Sequence, residues 1–302
     1  MPSDAPAYLE TKARGLLAEK IRKAFDILTS CTLCPRFCNV NRLEGEKGVC
    51  KTGRRAMVSS YSPHFGEESC LVGTYGSGTI FFTNCNLLCN FCQNYEISHL
   101  GRGFEVSDEE LAIIMLDLQK RGCHNINFVT PSHVIPQIVS AVEIAIERGL
   151  HLPIVYNSGG YDSVGSLKQL EGIVDIYMPD LKFSNPDIAK ECCDAPDYFE
   201  VAKKAIKEMH RQVGDLEMDE KGIAFHGLLI RHLLMPGDVA GIEKIIEFLA
   251  EKISRDTYIN IMSQYYPCGE VEPGSILNTS ITHQDLQSAL HIARLKGLYR
   301  FA

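Results

Sequence analysis

The sequence predicts an α/β protein: a partial (β/α)6 barrel, TIM-like but short of closure, behind an N-terminal cysteine-rich extension. Three observations predict it. Apolar runs of strand length alternate with helix-length amphipathic runs from residue 79 onward. Six such units are present, two fewer than a closed eightfold barrel uses. Polar and ionisable residues gather where each strand ends, whereas the returning turns, such as Arg148-Gly149-Leu150, are plain. An open doubly wound sheet is the alternative reading of the same alternation.

Taken in order, residues 8–28 repeat apolar residues at helical intervals and predict one leading helix. Strands are expected at 79–83, 125–129, 153–157, 174–178, 227–233 and 257–262, each nearly continuous in apolar residues, as parallel strands buried on both faces are. Helices are expected at 107–121, 134–148, 163–171, 196–213, 238–252 and 283–297. Ser107-Asp-Glu-Glu110 opens the first of these with a capping signal. The glycines of Gly73-Thr-Tyr-Gly76-Ser-Gly78 precede a strand instead of following one, which excludes a phosphate-cradling loop. Two domains result, residues 1–72 as the helix and cysteine-rich metal-binding extension and 73–302 as the barrel.

Composition narrows the class. The 302 residues are 45% hydrophobic, ordinary for a globular enzyme, and the net charge of −8 argues against a nucleic-acid binder. No apolar stretch has membrane-spanning length and Met1-Pro2-Ser3-Asp4 lacks the form of a signal peptide, so a cytoplasmic protein without membrane partners is expected. Seven of the twelve cysteines fall between Cys31 and Cys50 or between Cys85 and Cys92. Clustering of that kind in a chain of this length points to metal-bound thiolates in a reducing compartment, not to a disulfide framework. Cys70, Cys123, Cys192, Cys193 and Cys268 read as core or surface thiols.

Cys85-Asn-Leu-Leu-Cys89-Asn-Phe-Cys92 follows the first strand, at the end where ligands collect in parallel β/α folds. Its cysteines stand at helical spacing, yet Asn84, Asn86, Asn90 and Asn94 favour turns and caps, so a loop wrapped around a group is predicted. Three thiolates hold three corners of a [4Fe-4S] cluster and leave the fourth iron open for chemistry.

The spacing C-x3-C-x2-C with Phe91 before the third cysteine resembles the signature of the radical S-adenosylmethionine (SAM) superfamily. Residues 85–98, together with Cys31-Thr-Leu-Cys34-Pro35-Arg36-Phe37-Cys38, are similar to PflX-type iron–sulfur proteins, related to pyruvate formate-lyase activating enzymes. The resemblance implies that Cys85, Cys89 and Cys92 ligate the catalytic cluster, that SAM chelates its open iron, and that Phe91 lies near the adenine. One-electron cleavage then gives methionine and a 5′-deoxyadenosyl radical that abstracts hydrogen. Met178, Asp180 and Lys182 match a Met-x-Asp-x-Lys pattern of the activases, in which the first two help hold a monovalent cation and the lysine lies near the methionyl carboxylate. Asn157 and Ser158 stand where that family completes the cation site with Asp-Thr, one negative charge fewer here. Thr130-Pro131-Ser132 replaces the Gly-Gly-Glu that receives the SAM amino group in many members, and Arg231, upstream of Pro236-Gly237, resembles a position near SAM. The implied partners are a reductant such as ferredoxin or flavodoxin and a hydrogen donor, either a glycyl radical enzyme or a small molecule. A non-catalytic iron–sulfur or zinc protein of electron transfer or assembly is the competing class.

Cys31, Cys34, Cys38 and Cys50, with Pro35, Gly45 and Gly48 between them, form a second metal-site candidate. Four cysteines close a zinc or iron–sulfur site with no open position, a structural or electron-relaying centre, and spacing does not separate the two metals.

Overall fold

The computed structural model describes residues 5–302. Two helices, α1 (Ala7–Ala13) and α2 (Leu17–Asp26), replace the single helix expected over 8–28. Gly15 makes the break: at φ +69° it turns left-handed, and the Gly15 and Leu16 N–H groups fold back onto the Lys12 and Thr11 carbonyls at 2.9 and 3.1 Å. The bend lets Thr11 donate to the Gly172 carbonyl (2.6 Å) and Tyr8 to that of Leu152 (2.8 Å), fixing α1 across the turns that lead into the strands.

Next come β1 (Ala56–His64), α3 (Ser69–Val72), β2 (Ser77–Phe82), α4 (Tyr95–Ser98), β3 (Phe104–Val106) and α5 (Asp108–Lys120). The repeat continues through β4 (Ile126–Val129), α6 (Ile135–Glu147), β5 (Ile154–Ser158), α7 (Val164–Leu170) and β6 (Ile176–Pro179). Then follow α8 (Pro186–Cys193), α9 (Tyr198–Val213), β7 (Glu217–Met218), β8 (Ala224–Leu233), α10 (Ile242–Lys252), β9 (Tyr258–Met262), α11 (His283–Leu295) and β10 (Arg300–Phe301). The capping box of α5 forms as the sequence implies: Ser107 Oγ accepts from Glu110 N–H (3.1 Å), and the Glu110 carboxylate accepts from Ser107 N–H (2.7 Å).

The six expected strands are β2, β4, β5, β6, β8 and β9, and they pair parallel in that order. Because the order never reverses, right-handed crossovers place successive helices on one face, and the sheet curls around its other face as a barrel does. A doubly wound sheet would need a reversal. The barrel stays open: β1 extends one edge antiparallel to β2, with β3 beyond it, and β10 extends the other edge beside β9. β1 thus belongs to the same sheet as the barrel although it lies within the 1–72 segment. Between the sheet and its helices, Phe82 stacks on Phe128 (centroids 5.9 Å apart) and Tyr156 meets Tyr177 edge-on (5.7 Å).

Gly227 shows how closely the layers approach. It sits in β8 at φ +113°, and a Cβ there would lie 2.3 Å from the Asp215 carbonyl oxygen. Gly227→Ala is expected to cost on the order of 3 kcal/mol from backbone strain, seen as a lower urea midpoint with an unchanged slope.

Candidate active site

Parallel register brings the ends of β4, β5, β6 and β8 into one row. Val129 pairs with Asn157, Asn157 with Met178, and an isolated bridge sets Asp180 beside Arg231. A partly buried charge network spans that row. Arg231 donates from Nε to Asp180 (3.0 Å), from Nη2 to the Asn157 side-chain oxygen (2.7 Å) and from Nη1 to Glu67 (3.4 Å). Lys182 Nζ reaches the second oxygen of Asp180 at 2.6 Å. Burial alone would push Asp180 up, but Lys182 and Arg231 outweigh it and hold the carboxyl below its usual range. Burial disfavours the charged forms of Lys182 and Arg231 too, and Asp180 overcomes this and raises both. Burial moves Glu67 the other way, upward, against the pull of Arg231. Lys182 keeps donors beyond the one given to Asp180, and these can receive a ligand carboxylate.

Cys85, Cys89 and Cys92 lie on the loop between β2 and α4. Asn84 (φ +67°) and Leu88 (φ +54°) take left-handed conformations that no helix contains, so the loop reading holds over a thiol-lined helix. Leu87 N–H donates to Cys85 Sγ at 3.3 Å and the Ser98 hydroxyl to Cys92 Sγ at 3.3 Å. Such donors favour thiolates bound to a metal. Without metal the thiols are held protonated: burial pushes Cys85 up to about 12 and raises Cys92, and contact with Cys193, then burial, raises Cys89 strongly. Among the described residues no three Cys, His, Asp or Glu side chains crowd close enough to share a single ion. Three thiols spread along one loop, with hydrogen bonds to sulfur, fit a multi-iron cluster instead.

Residues 79–249 match the Radical SAM superfamily. The chain belongs to that superfamily. It is 30% identical over 298 residues to Uncharacterized protein MJ0674 of Methanocaldococcus jannaschii, an alignment covering 96% of this chain and 82% of that protein. Among solved structures it is similar to methylornithine synthase (PylB), at 14% identity and a TM-score of 0.48, covering 72% of this chain and 62% of that one, less than two thirds of its length.

The remaining expected SAM-site residues divide. Thr130 stands at the mouth at φ +60°, a strained conformation for a β-branched residue, tied through its N–H to the Asn157 carbonyl at 2.9 Å. Phe91 is turned inward: it is 4% exposed and packs edge-on against Phe183 and tilted against Tyr265. Ser158 is likewise engaged, donating to buried Asp162 at 2.6 Å. The monovalent-cation site does not fit this chain. Both Asp180 oxygens and the Asn157 oxygen already receive Lys182 and Arg231, so fixed side-chain cations occupy the coordinating atoms.

The structure adds residues that spacing did not reveal. Cys193 touches Cys89, the Cys192 carbonyl accepts from Asn90 N–H (2.8 Å), and the Cys268 thiol donates to the Phe91 carbonyl (3.1 Å), so three of the seemingly scattered cysteines border the radical SAM loop. Glu67 enters from the segment after β1, outside the repeat. The fullest surprise is Arg36 of Cys34-Pro35-Arg36, which donates to four carbonyls: Asn86 (2.8 Å), Leu87 (3.1 Å), Cys193 (2.6 Å) and Asp194 (2.6 Å). It joins the extension, the cluster loop and the end of α8 with one planar fork, which lysine cannot reproduce. Arg36→Lys is expected to lower stability by on the order of 2 kcal/mol and to reduce iron and sulfide content after anaerobic reconstitution, with the circular dichroism spectrum retained.

Proposed function

We propose that this radical SAM enzyme is of the activating type, abstracting hydrogen from a glycine backbone of a partner protein and taking its electron from a reductant such as ferredoxin or flavodoxin. When bound, the [4Fe-4S] cluster supplies one electron to SAM, breaking the S–C5′ bond to give methionine and a 5′-deoxyadenosyl radical that abstracts hydrogen. Cys85, Cys89 and Cys92 would hold the cluster. Lys182, oriented by Asp180, would receive the methionyl carboxylate, and Arg231 would keep Asp180 charged and in place. Carbonyls and hydroxyls of Thr130-Pro131-Ser132 would accept from the amino group.

The observation that carries this reading is the Asp180–Lys182 pair at the end of β6. It repeats the Met-x-Asp-x-Lys pattern of activases and lies near enough to the cysteine loop that the Lys182 charge acts on the Cys89 thiol. Cys193, though beside Cys89, gives its thiol to the Ala189 carbonyl of its own helix at 3.0 Å, so it is not counted among the ligands.

Anaerobic reconstitution followed by reduction in the presence of SAM tests the reading. The wild type is expected to form 5′-deoxyadenosine, Cys89→Ala to form none above background, and Cys193→Ala to form it still. Cluster reduction without SAM cleavage in the wild type would instead identify an electron carrier. With partner candidates deuterated at glycine Cα, label should enter 5′-deoxyadenosine; cleavage that draws label only from a small molecule would overturn the activating role.

A further inference from the structure

Cys31, Cys34, Cys38 and Cys50 line one small cavity beneath the extension, together with Arg42, Gly48 and His133. Four neutral thiols could fill such a space as small apolar side chains. Arg42 speaks against that. Its side chain is 1% exposed, and it meets carbonyls and sulfur only: Gly53 O at 2.8 and 3.2 Å, His133 O at 2.9 Å and Cys31 Sγ at 3.9 Å. Among the described residues no carboxylate pairs with it. A buried guanidinium without an anion is costly, and the cost falls only if negative charge stands in the cavity it faces. Four thiolates around an oxidised [4Fe-4S] cluster carry a net charge of about −2, and a cluster, unlike a single ion, suits thiols that do not converge on one point.

The local backbone is shaped around sulfur. Phe37 (φ +43°) and Asn39 (φ +54°) flank Cys38, and Lys51 (φ +54°) follows Cys50, all in the left-handed region. Such residues cost about 1 kcal/mol or more each and persist where surroundings enforce them. Val49 N–H donates to Cys38 Sγ at 3.4 Å, and a Cβ at Gly48 would lie 2.6 Å from that sulfur, so only glycine lets the loop close over it. His133 lines the same cavity. Its Nε2 faces the Thr83 carbonyl at 2.9 Å, which places the ring proton there and leaves Nδ1 as a bare acceptor, buried without a partner.

We infer that Cys31, Cys34, Cys38 and Cys50 bind a second thiophilic metal centre, separate from the catalytic cluster, with Arg42 as its buried counter-charge. Having four protein ligands, the centre offers no open position for substrate. It is linked to the catalytic loop by Arg36, two residues beyond Cys34, which grips Asn86 and Leu87, and by Thr52, two residues beyond Cys50, which accepts from the Asn84 side chain at 3.2 Å. The metal thereby fixes the platform from which the catalytic loop is held.

The test uses the full chain with Cys85, Cys89 and Cys92 all changed to Ala, which cannot form the catalytic cluster, so the outcome is independent of the activating-enzyme reading. Purified anaerobically, this protein is expected to retain iron together with acid-labile sulfide; zinc without sulfide would overturn a cluster at this site. Adding Cys34→Ser and Cys50→Ser should remove that metal. Absence of both iron and zinc from the triple variant overturns the proposal. Because cysteine variants can fail to fold, Arg42→Met is made alone in the triple background: metal loss to a chelator is expected to accelerate about tenfold or more, and an unchanged rate overturns the counter-charge role.

Discussion

Parallel pairing is the constraint from which the active site follows. Strands that run the same way end at the same edge, and here the order β2-β4-β5-β6-β8-β9 contains no reversal, so every strand end faces one mouth. Asn157, Asp180 and Arg231 are far apart in sequence yet adjacent across the sheet because register makes them so. Once aligned and withdrawn from water, their charges cannot be chosen singly. Asp180 is tolerated because two cations flank it, and each cation is tolerated because Asp180 is there.

That interdependence accounts for the departure from the activase pattern. An Asp at position 157 would add a second carboxylate to the row and leave charge for a metal cation to neutralise. With Asn157 in that place, Arg231 bonds both the amide oxygen and Asp180, and the row is balanced by covalently attached groups.

The barrel was legible because periodicity and strand-end polarity are local signals, and each of the six strands falls within a few residues of its expected place. The cysteine loop was legible for the same reason, its asparagines opposing a helix. What escaped were features set by long-range contact. The leading helix breaks at Gly15 because only the folded barrel supplies Gly172 and Leu152 for α1 to grip. The packing of Phe91 was hidden because nothing in its neighbours announces Phe183 and Tyr265, which are distant in the chain. Arg36 sat unremarked inside a cysteine motif, since its four acceptors are backbone atoms and carry no side-chain signature. Cys192, Cys193 and Cys268 came together only through α8 and the segment after β9.

That last segment reaches back onto the catalytic loop. Gln93 donates to the Gln264 carbonyl (3.1 Å), Glu270 N–H to that of Asn90 (2.6 Å), and Tyr95 bonds the Glu270 carboxylate. Gly269 is pressed so near Asn90 that a Cβ would stand 2.4 Å from its carbonyl oxygen. The loop is thus translated long before the residues that brace it leave the ribosome. The catalytic loop therefore reaches its braced form only when residues 264–270 have folded back onto it.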